Sequence, residues 1–179
     1  MRQKLSADQL RDALERLYEA VEKQLPSDSR ITVIGIRTRG ETLAERLVRR
    51  LRRERPELDI ARGVLDITFY RDDLSRRRGA PLVRATEIDF DIDDTWLLLV
   101  DDVMQTGRSI RAALGALHDF GRPKVVRLAV LIDRGGREVP ISADFVGRKL
   151  SAPPETRVQV RLKENDGQEG VFLIKKESA

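Results

Sequence analysis

One stretch constrains this chain more than any other: Trp96-Leu97-Leu98-Leu99-Val100-Asp101-Asp102-Val103-Met104-Gln105-Thr106-Gly107-Arg108-Ser109. The run from Trp96 to Val100 is apolar at every position, as expected of a strand buried on both faces rather than on one. Two adjacent carboxylates follow where that strand is expected to end. A small-residue loop, Thr-Gly-x-Ser, comes next, and then an apolar helical repeat at Ile110, Ala113, Leu114 and Leu117. Buried strand, acidic pair, loop and helix in that order predict an open α/β sheet. In such sheets ligands bind where a strand's carboxyl end leads into a helix.

Each part of the loop suits a particular chemical group. Unpaired N–H groups at the start of a helix, with the hydroxyls of Thr106 and Ser109, suit a phosphate dianion. Gly107 lets the backbone approach phosphate oxygens with no Cβ in the way. Asp101 and Asp102 repel phosphate and instead suit vicinal hydroxyls, Mg²⁺ or a developing positive charge. Phosphate at one end and a diol at the other describe a ribose 5-phosphate. The alternative is a buried strand, an acidic turn and a capped helix without a ligand.

The rest of the chain repeats the pattern. Ser6-x-x-Gln9 has capping-box spacing, and Leu10, Leu14, Leu17, Val21 and Leu25 form one stripe, so residues 5–25 are expected to be helical. Ile31 to Ile36 reads as a buried strand leading into Arg37-Thr38-Arg39-Gly40 and a helix from Glu41 to about Glu54. Arg37, Arg39 and the amides near Gly40 can hold a pyrophosphate, or form a basic turn that caps the helix. Arg49-Arg50-Leu51-Arg52-Arg53-Glu54-Arg55 reads either as the cationic end of a helix or as a nucleic-acid contact. Val64 to Tyr70 is expected as a strand, followed by a polar, basic loop of about residues 71–85. Loops of that length in a compact domain are commonly functional or disordered. Glu87 to Ile92 alternates like an edge strand. His118, late in its helix, suits a surface position. Lys124 to Ile132 reads as the last core strand, Asp133-Arg134-Gly135-Gly136-Arg137-Glu138 as a third polar loop, and Arg157–Leu162 with Val171–Ile174 as a hairpin.

Composition narrows the class. The 179 residues contain no cysteine and one histidine, which excludes a disulfide framework or a thiolate metal site and argues against zinc. The chain shows neither a signal peptide nor an apolar run long enough to span a bilayer, so a single cytoplasmic domain without membrane contact is expected. A net charge of +4 is compatible with anionic substrates and with nucleic acid alike.

The stretch from Leu97 to Ser109 resembles the phosphoribosyl-pyrophosphate (PRPP) signature of type I phosphoribosyltransferases. Ile36–Gly40, Asp66–Leu74 and Val130–Ile141 are similar to the PyrR family, pyrimidine operon regulators that also have uracil phosphoribosyltransferase activity. The resemblance runs from about Leu5 to Ile174. It implies a mostly parallel central sheet with helices on both faces and a small antiparallel hood at about 134–174. It also implies a reaction, uracil + PRPP → UMP + pyrophosphate, with Mg²⁺ held through substrate oxygens and water rather than directly by protein.

By the same resemblance, Asp101, Asp102 and Arg71 serve catalysis, and Val103, Met104, Gln105, Thr106, Gly107, Arg108 and Ser109 bind the ribose 5-phosphate. Arg37, Thr38, Arg39 and Gly40 take the pyrophosphate, and the loop bearing Arg76, Arg77 and Arg78 closes over it. Asp133, Arg134 and Val158 belong to the base-covering hood. Arg137, Arg148 and Lys149 are implied contacts to an mRNA leader, on a homo-oligomer that responds to UMP. Family members often carry His where this chain has Gly136, and Tyr where it has Gln105. Two alternatives stay open: a pyrimidine regulator with weak or no catalysis, and a purine phosphoribosyltransferase.

Overall fold

The computed structural model describes residues 1–27, 29–71 and 85–176. Five strands form a parallel sheet: β2 (Ile31–Ile36), β3 (Ile60–Leu65), β4 (Trp96–Met104), β5 (Val125–Asp133) and β6 (Phe145–Lys149). They lie in the order β3-β2-β4-β5-β6, with β4 at the centre. A separate antiparallel sheet joins β1 (Arg2–Leu5), β8 (Gly170–Lys175) and β7 (Thr156–Arg161) in the order β1-β8-β7.

The uninterrupted apolar runs of the parallel strands are explained by cover on both sides. Val33, Leu98, Val100, Ala129 and Leu131 point to one face, under α1 (Ala7–Glu22), α2 (Arg39–Glu54) and the antiparallel sheet. Ile34, Leu97, Leu99, Leu128 and Val130 point to the other, where α3 (Arg108–Leu117) supplies Ile110, Ala113, Ala116 and Leu117. The Ser6 hydroxyl accepts the Gln9 amide and the Gln9 side chain accepts the Ser6 amide, so the capping box forms as expected.

Several boundaries differ from expectation for physical reasons. α1 covers 7–22 rather than 5–25, because Ser6 caps its start and Leu5 turns inward as the end of β1, which pairs with β8. β3 covers 60–65, not 64–70. At Asp66 the carboxylate accepts both the amide and the hydroxyl of Thr68, and this local turn replaces the ladder, leaving one 3₁₀ turn at Thr68–Tyr70. Glu87–Ile92 contributes a single antiparallel bridge, Val64 to Glu87, and no strand. Leu114 is 40% exposed and does not belong to the buried stripe of α3. Phe145–Lys149, expected in the hood, is the edge strand of the parallel sheet, since β5 pairs with it in parallel from Ala129 to Asp133. The hairpin β7–β8 forms as read, around α4 (Lys163–Asp166) and a left-handed Gly167.

In the parallel sheet, the chain leaves β2 toward β3 on one side and leaves β4 toward β5 on the other. The carboxyl ends of β2 and β4 therefore flank the point where the winding reverses, and a crevice opens there.

Candidate active site

Two contiguous hollows of about 350 Å³ each fill that crevice. The first is lined by Arg37 and Thr38 after β2, Asp66 and Thr68 after β3, and Asp101 and Asp102 of β4. The second runs from Thr106 and Gly107 to Arg134, Arg157 and Val158 of the antiparallel side. Arg71, Asp101, Val103 and Ser109 border both, so the two are halves of one cleft.

The acidic pair lies within β4 rather than beyond it, since the ladder with β5 continues to Met104 opposite Asp133. Consecutive residues of a strand point to opposite sides, yet both carboxylates reach the cleft because their own backbone holds them. The Asp102 amide donates to Asp101 Oδ1 at 2.9 Å, and the Val103 amide to Asp102 Oδ1 at 2.8 Å. Asp101 is only 8% exposed. Burial, and then the neighbouring Asp102 charge, push its carboxyl well above the ordinary range. Burial also raises Asp102, against the opposing pull of the Arg39 guanidinium. Two carboxyls with raised proton affinity thus face the cleft.

The loop from Gln105 to Ser109 makes the tight turn into a helix that the sequence predicts, and it is braced from behind. Gly107 is the residue before α3 and has φ +87°. A Cβ there would stand 2.7 Å from Val139 Cγ2, so both backbone and space require glycine. The Thr106 carbonyl accepts the amides of Glu138 and Val139, and the Met104 carbonyl accepts that of Arg134. The Arg108 amide, first in α3, donates to the Thr106 hydroxyl at 3.3 Å, and the amides of Ser109 and Ile110 come before the first bond of helical type, from Arg111 to the Gly107 carbonyl. Arg71 Nη1 stands 3.5 Å from Ser109 Oγ, at the junction of the two halves.

The second loop departs from expectation in how its arginines are used. Arg37 donates to Glu41, Glu87 and the Ala85 carbonyl. Arg39 forms a two-point pair with Asp166, at 3.1 and 2.6 Å, and is not among the residues lining the cleft. The Arg37–Thr38 peptide is cis. What this loop offers an anion is therefore chiefly the backbone at the start of α2, with its partnerless first N–H groups. Nothing in the residue types signals that division of labour.

On the third loop, Asp133 accepts the Gly135 amide at 2.9 Å and Arg137 Nη2 at 2.7 Å. Burial opposes ionisation of this carboxyl, but Arg137 and the Gly135 amide outweigh it and hold the group below its usual value. Arg137 also donates to the carbonyls of Gln105 and Ile141. Both side chains, expected to meet a base and an RNA, are engaged in fastening the loop instead. Arg134 clips the loop to the carbonyls of Thr156 and Pro153. Gly136 and Gln105, the two departures from the family pattern, adjoin one another: a Cβ at Gly136 would lie 3.9 Å from Gln105 Cγ. Arg148 and Lys149 lie on the edge strand β6, where neither forms an ion pair among the described residues.

Of the basic run in α2, Arg49 pairs with Glu45, Arg50 with Glu15 and Glu54, and Arg55 with Glu57, so most of its charge is answered within the chain. Arg76, Arg77 and Arg78 lie outside the described residues. Three polar cleft residues, Asp66, Thr68 and Arg157, escaped notice as site candidates. Asp66 is signalled only by its short turn onto Thr68, and Arg157 only by its place in an alternating strand.

A sheet wound in this order, with an acidic pair and a phosphate loop at its reversal point, defines the phosphoribosyltransferases. The family model for the phosphoribosyl transferase domain matches residues 4–164. The hypoxanthine-guanine phosphoribosyltransferase of Bacillus anthracis shares the fold, with a TM-score of 0.70 at 17% identity over 98% of both chains. A hypoxanthine phosphoribosyltransferase of Trypanosoma cruzi superimposes equally, at 0.70 and 16% identity over 97% of this chain and 95% of that one. Within this class the chain belongs to the bifunctional PyrR family. It is 47% identical to the bifunctional protein PyrR of Deinococcus radiodurans, covering 95% of this chain and 92% of the relative. It is 48% identical to that of Roseiflexus sp., covering 97% and 95%.

Proposed function

We propose that this protein transfers the 5-phosphoribosyl group of PRPP to uracil, giving UMP and pyrophosphate, and that with UMP bound it regulates pyrimidine genes through an mRNA leader. The observation that carries the first half is the continuous cleft, which puts the acidic pair between a phosphate loop and a pyrophosphate loop. Family membership supports both halves.

In this reading the amides and hydroxyls of residues 105–109 hold the 5-phosphate, and the backbone of 38–40 holds the pyrophosphate. Asp101 and Asp102 each have one oxygen committed to an amide. The other is left for the ribose hydroxyls or for water around Mg²⁺, a donor set that suits this hard, well-hydrated ion. Among the described residues no group of three His, Cys, Asp or Glu converges as a direct metal site. Mg²⁺ when bound would screen the pyrophosphate charge as it leaves.

The bond from the anomeric carbon to pyrophosphate breaks, its electron pair leaving with the pyrophosphate, while a uracil ring nitrogen supplies the new pair and gives up its proton to the departing pyrophosphate or to water. Positive charge on the ribose in between is stabilised by the carboxylates. Arg71 stands where it can meet the departing pyrophosphate. Val158, Arg134 and the backbone near Asp133 cover the base, where unpaired polar edges would reject the wrong one.

Exposed Lys149 and half-buried Arg148 supply charge for an RNA backbone, and a homo-oligomer would extend that surface. The test is nucleotide formation from PRPP and Mg²⁺ with uracil, hypoxanthine, guanine and adenine, using wild type and Asp102→Ala. UMP from wild type alone is expected. Product with a purine would overturn the uracil assignment. For regulation, UMP should strengthen binding to a leader RNA over a scrambled hairpin, with a steep salt dependence. Equal binding of both would overturn it.

A further inference from the structure

One face of α2 is gripped along its length by the segment around α4. Arg39, Thr42 and Arg46 are three and then four residues apart, so they share that face. Asp166 takes Arg39 through both carboxylate oxygens. The Thr42 hydroxyl donates to Asn165 Oδ1 at 2.8 Å. Arg46 bridges Glu164, at 2.9 and 2.5 Å, and Glu169, at 2.6 Å. The contacts differ in where they act. Arg46 lies two turns into the helix, whereas Arg39 is its first residue and directly follows Thr38 of the cleft.

The Arg39–Asp166 pair is part-buried at both ends, with side chains 24% and 16% accessible, and Asp166 is the least exposed carboxylate of the clasp. Asp166 is itself fixed, because its Oδ2 accepts the Leu162 amide at 3.0 Å. Its carboxyl is held below the ordinary value despite burial, by Arg39 and by that amide. A pair of this kind, charged, bidentate and part-buried, is the strong form of the hydrogen bond and sets orientation as well as distance.

We infer that Asp166 is a positioning residue for the pyrophosphate loop: by holding Arg39 it keeps the first turn of α2 presenting backbone amides to the cleft, and it ties the antiparallel sheet to the PRPP end of the site. Arg39 would otherwise be free to turn toward Asp102, whose carboxylate already feels its charge. The tether keeps that guanidinium out of the space an anion must enter. A segment that follows β7, the strand whose Arg157 and Val158 line the cleft, is thereby tied to the loop at the start of α2. The inference rests on reading the cleft as a PRPP site.

The test compares Asp166→Asn, which keeps the shape and an acceptor for Leu162 but removes the charge, with Arg46→Gln, which breaks the neighbouring part of the same clasp. Hydrogen exchange at the amides of residues 43 and 44, the first that bond back to residues 39 and 40, is measured without ligand, PRPP·Mg²⁺ affinity by calorimetry, and KM for PRPP and for the base separately. Asp166→Asn should speed exchange at 43 and 44 and weaken PRPP binding about tenfold, with the base KM changed less than about twofold. Arg46→Gln should lower stability and leave that exchange and PRPP affinity near wild type. Asp166→Glu should recover part of the affinity. Unchanged exchange and PRPP affinity in Asp166→Asn would overturn the inference, as would equal losses in both variants, since these would mark a docking contact of no special position. A wild type that binds no PRPP would sink the functional reading instead, and the exchange comparison would still decide the tether.

Discussion

Gly40 lies against the carbonyl of Val100 so closely that a Cβ would stand 2.4 Å from its oxygen. This contact seats the start of α2 on β4 one residue before the acidic pair, and so fixes the spacing between the two ligand loops. Backbone cannot yield as a flexible side chain would. Gly40→Ala should therefore cost roughly 2–3 kcal/mol of stability by overpacking, measured by urea denaturation. Its KM for PRPP should rise even where the protein remains folded. An unchanged KM in folded protein would mean that the loop spacing tolerates the shift.

The acidic pair predicts a pH dependence of stability with a definite sign. Burial raises the carboxyls of Asp101 and Asp102 above their unfolded values. Between the unfolded and folded values the native state binds more protons than the unfolded one, so the pair's contribution to stability falls as pH rises through that window. Above the folded values the penalty is complete, and below the unfolded value it is absent. Asp101→Asn should then stabilise the fold at neutral pH, and the gain should vanish toward the ordinary aspartate range. Denaturation midpoints across pH 3 to 8, about the range over which carboxyls and histidine titrate, test this. A variant no more stable than wild type at neutral pH would contradict it. The same residues need to be ionised to stabilise positive charge, so the acid limb of kcat/KM should lie above that of a free aspartate.

Arg71 borders both halves of the cleft and stands beside Ser109. Placed to meet charge that develops only as pyrophosphate departs, its guanidinium should matter more to the transition state than to bound PRPP. Arg71→Gln should lower kcat on the order of a hundredfold, with a smaller change in KM for PRPP and little change in melting temperature. A rise in KM with kcat intact would make it a binding residue only.

How far the sequence reveals the site depends on the kind of interaction involved. Strands β2 and β4 are legible because both-face burial demands unbroken apolar runs, and the tight turn into α3 is legible because its positive φ demands Gly107. The exit from β3 is not, because Asp66 ends the ladder through a bond to Thr68 that competes with strand pairing. β1 is missed because three of its four residues are exposed and carry no alternation. The misassignment of β6 to the hood shows the same limit, since residues 145–149 look alike whether they pair with β5 or with β7. Least visible is where the arginines point. Arg37, Arg39 and Arg137 read as ligands for anions, yet each guanidinium also meets a carboxylate of the chain: Glu87 for Arg37 and Asp166 for Arg39, both distant in sequence, and Asp133, four residues away, for Arg137. Charge in a sequence marks potential partners, and only the tertiary fold chooses among them.

Arg137 offers a test that separates bracing from nucleic-acid contact. Its guanidinium donates to the Gln105 carbonyl at 2.7 Å and the Ile141 carbonyl at 3.0 Å, and pairs with Asp133 at 2.7 Å. It thus fastens the back of the phosphate loop to the loop after β5. Removing it leaves a carboxylate and two carbonyls without their donor, so Arg137→Ala should cost about 2 kcal/mol of stability and raise KM for PRPP severalfold. RNA affinity should fall as well, because the neighbouring surface loses its shape. A residue that meets an RNA phosphate directly, however, releases counterions on binding, and its loss lowers the salt slope of log K by about one. A brace holds no such counterion. RNA titrations of Arg137→Ala and Lys149→Ala over a range of salt concentrations should therefore show the slope reduced for Lys149 and unchanged for Arg137. A reduced slope for Arg137→Ala with an unaltered KM for PRPP would return this arginine to the RNA surface.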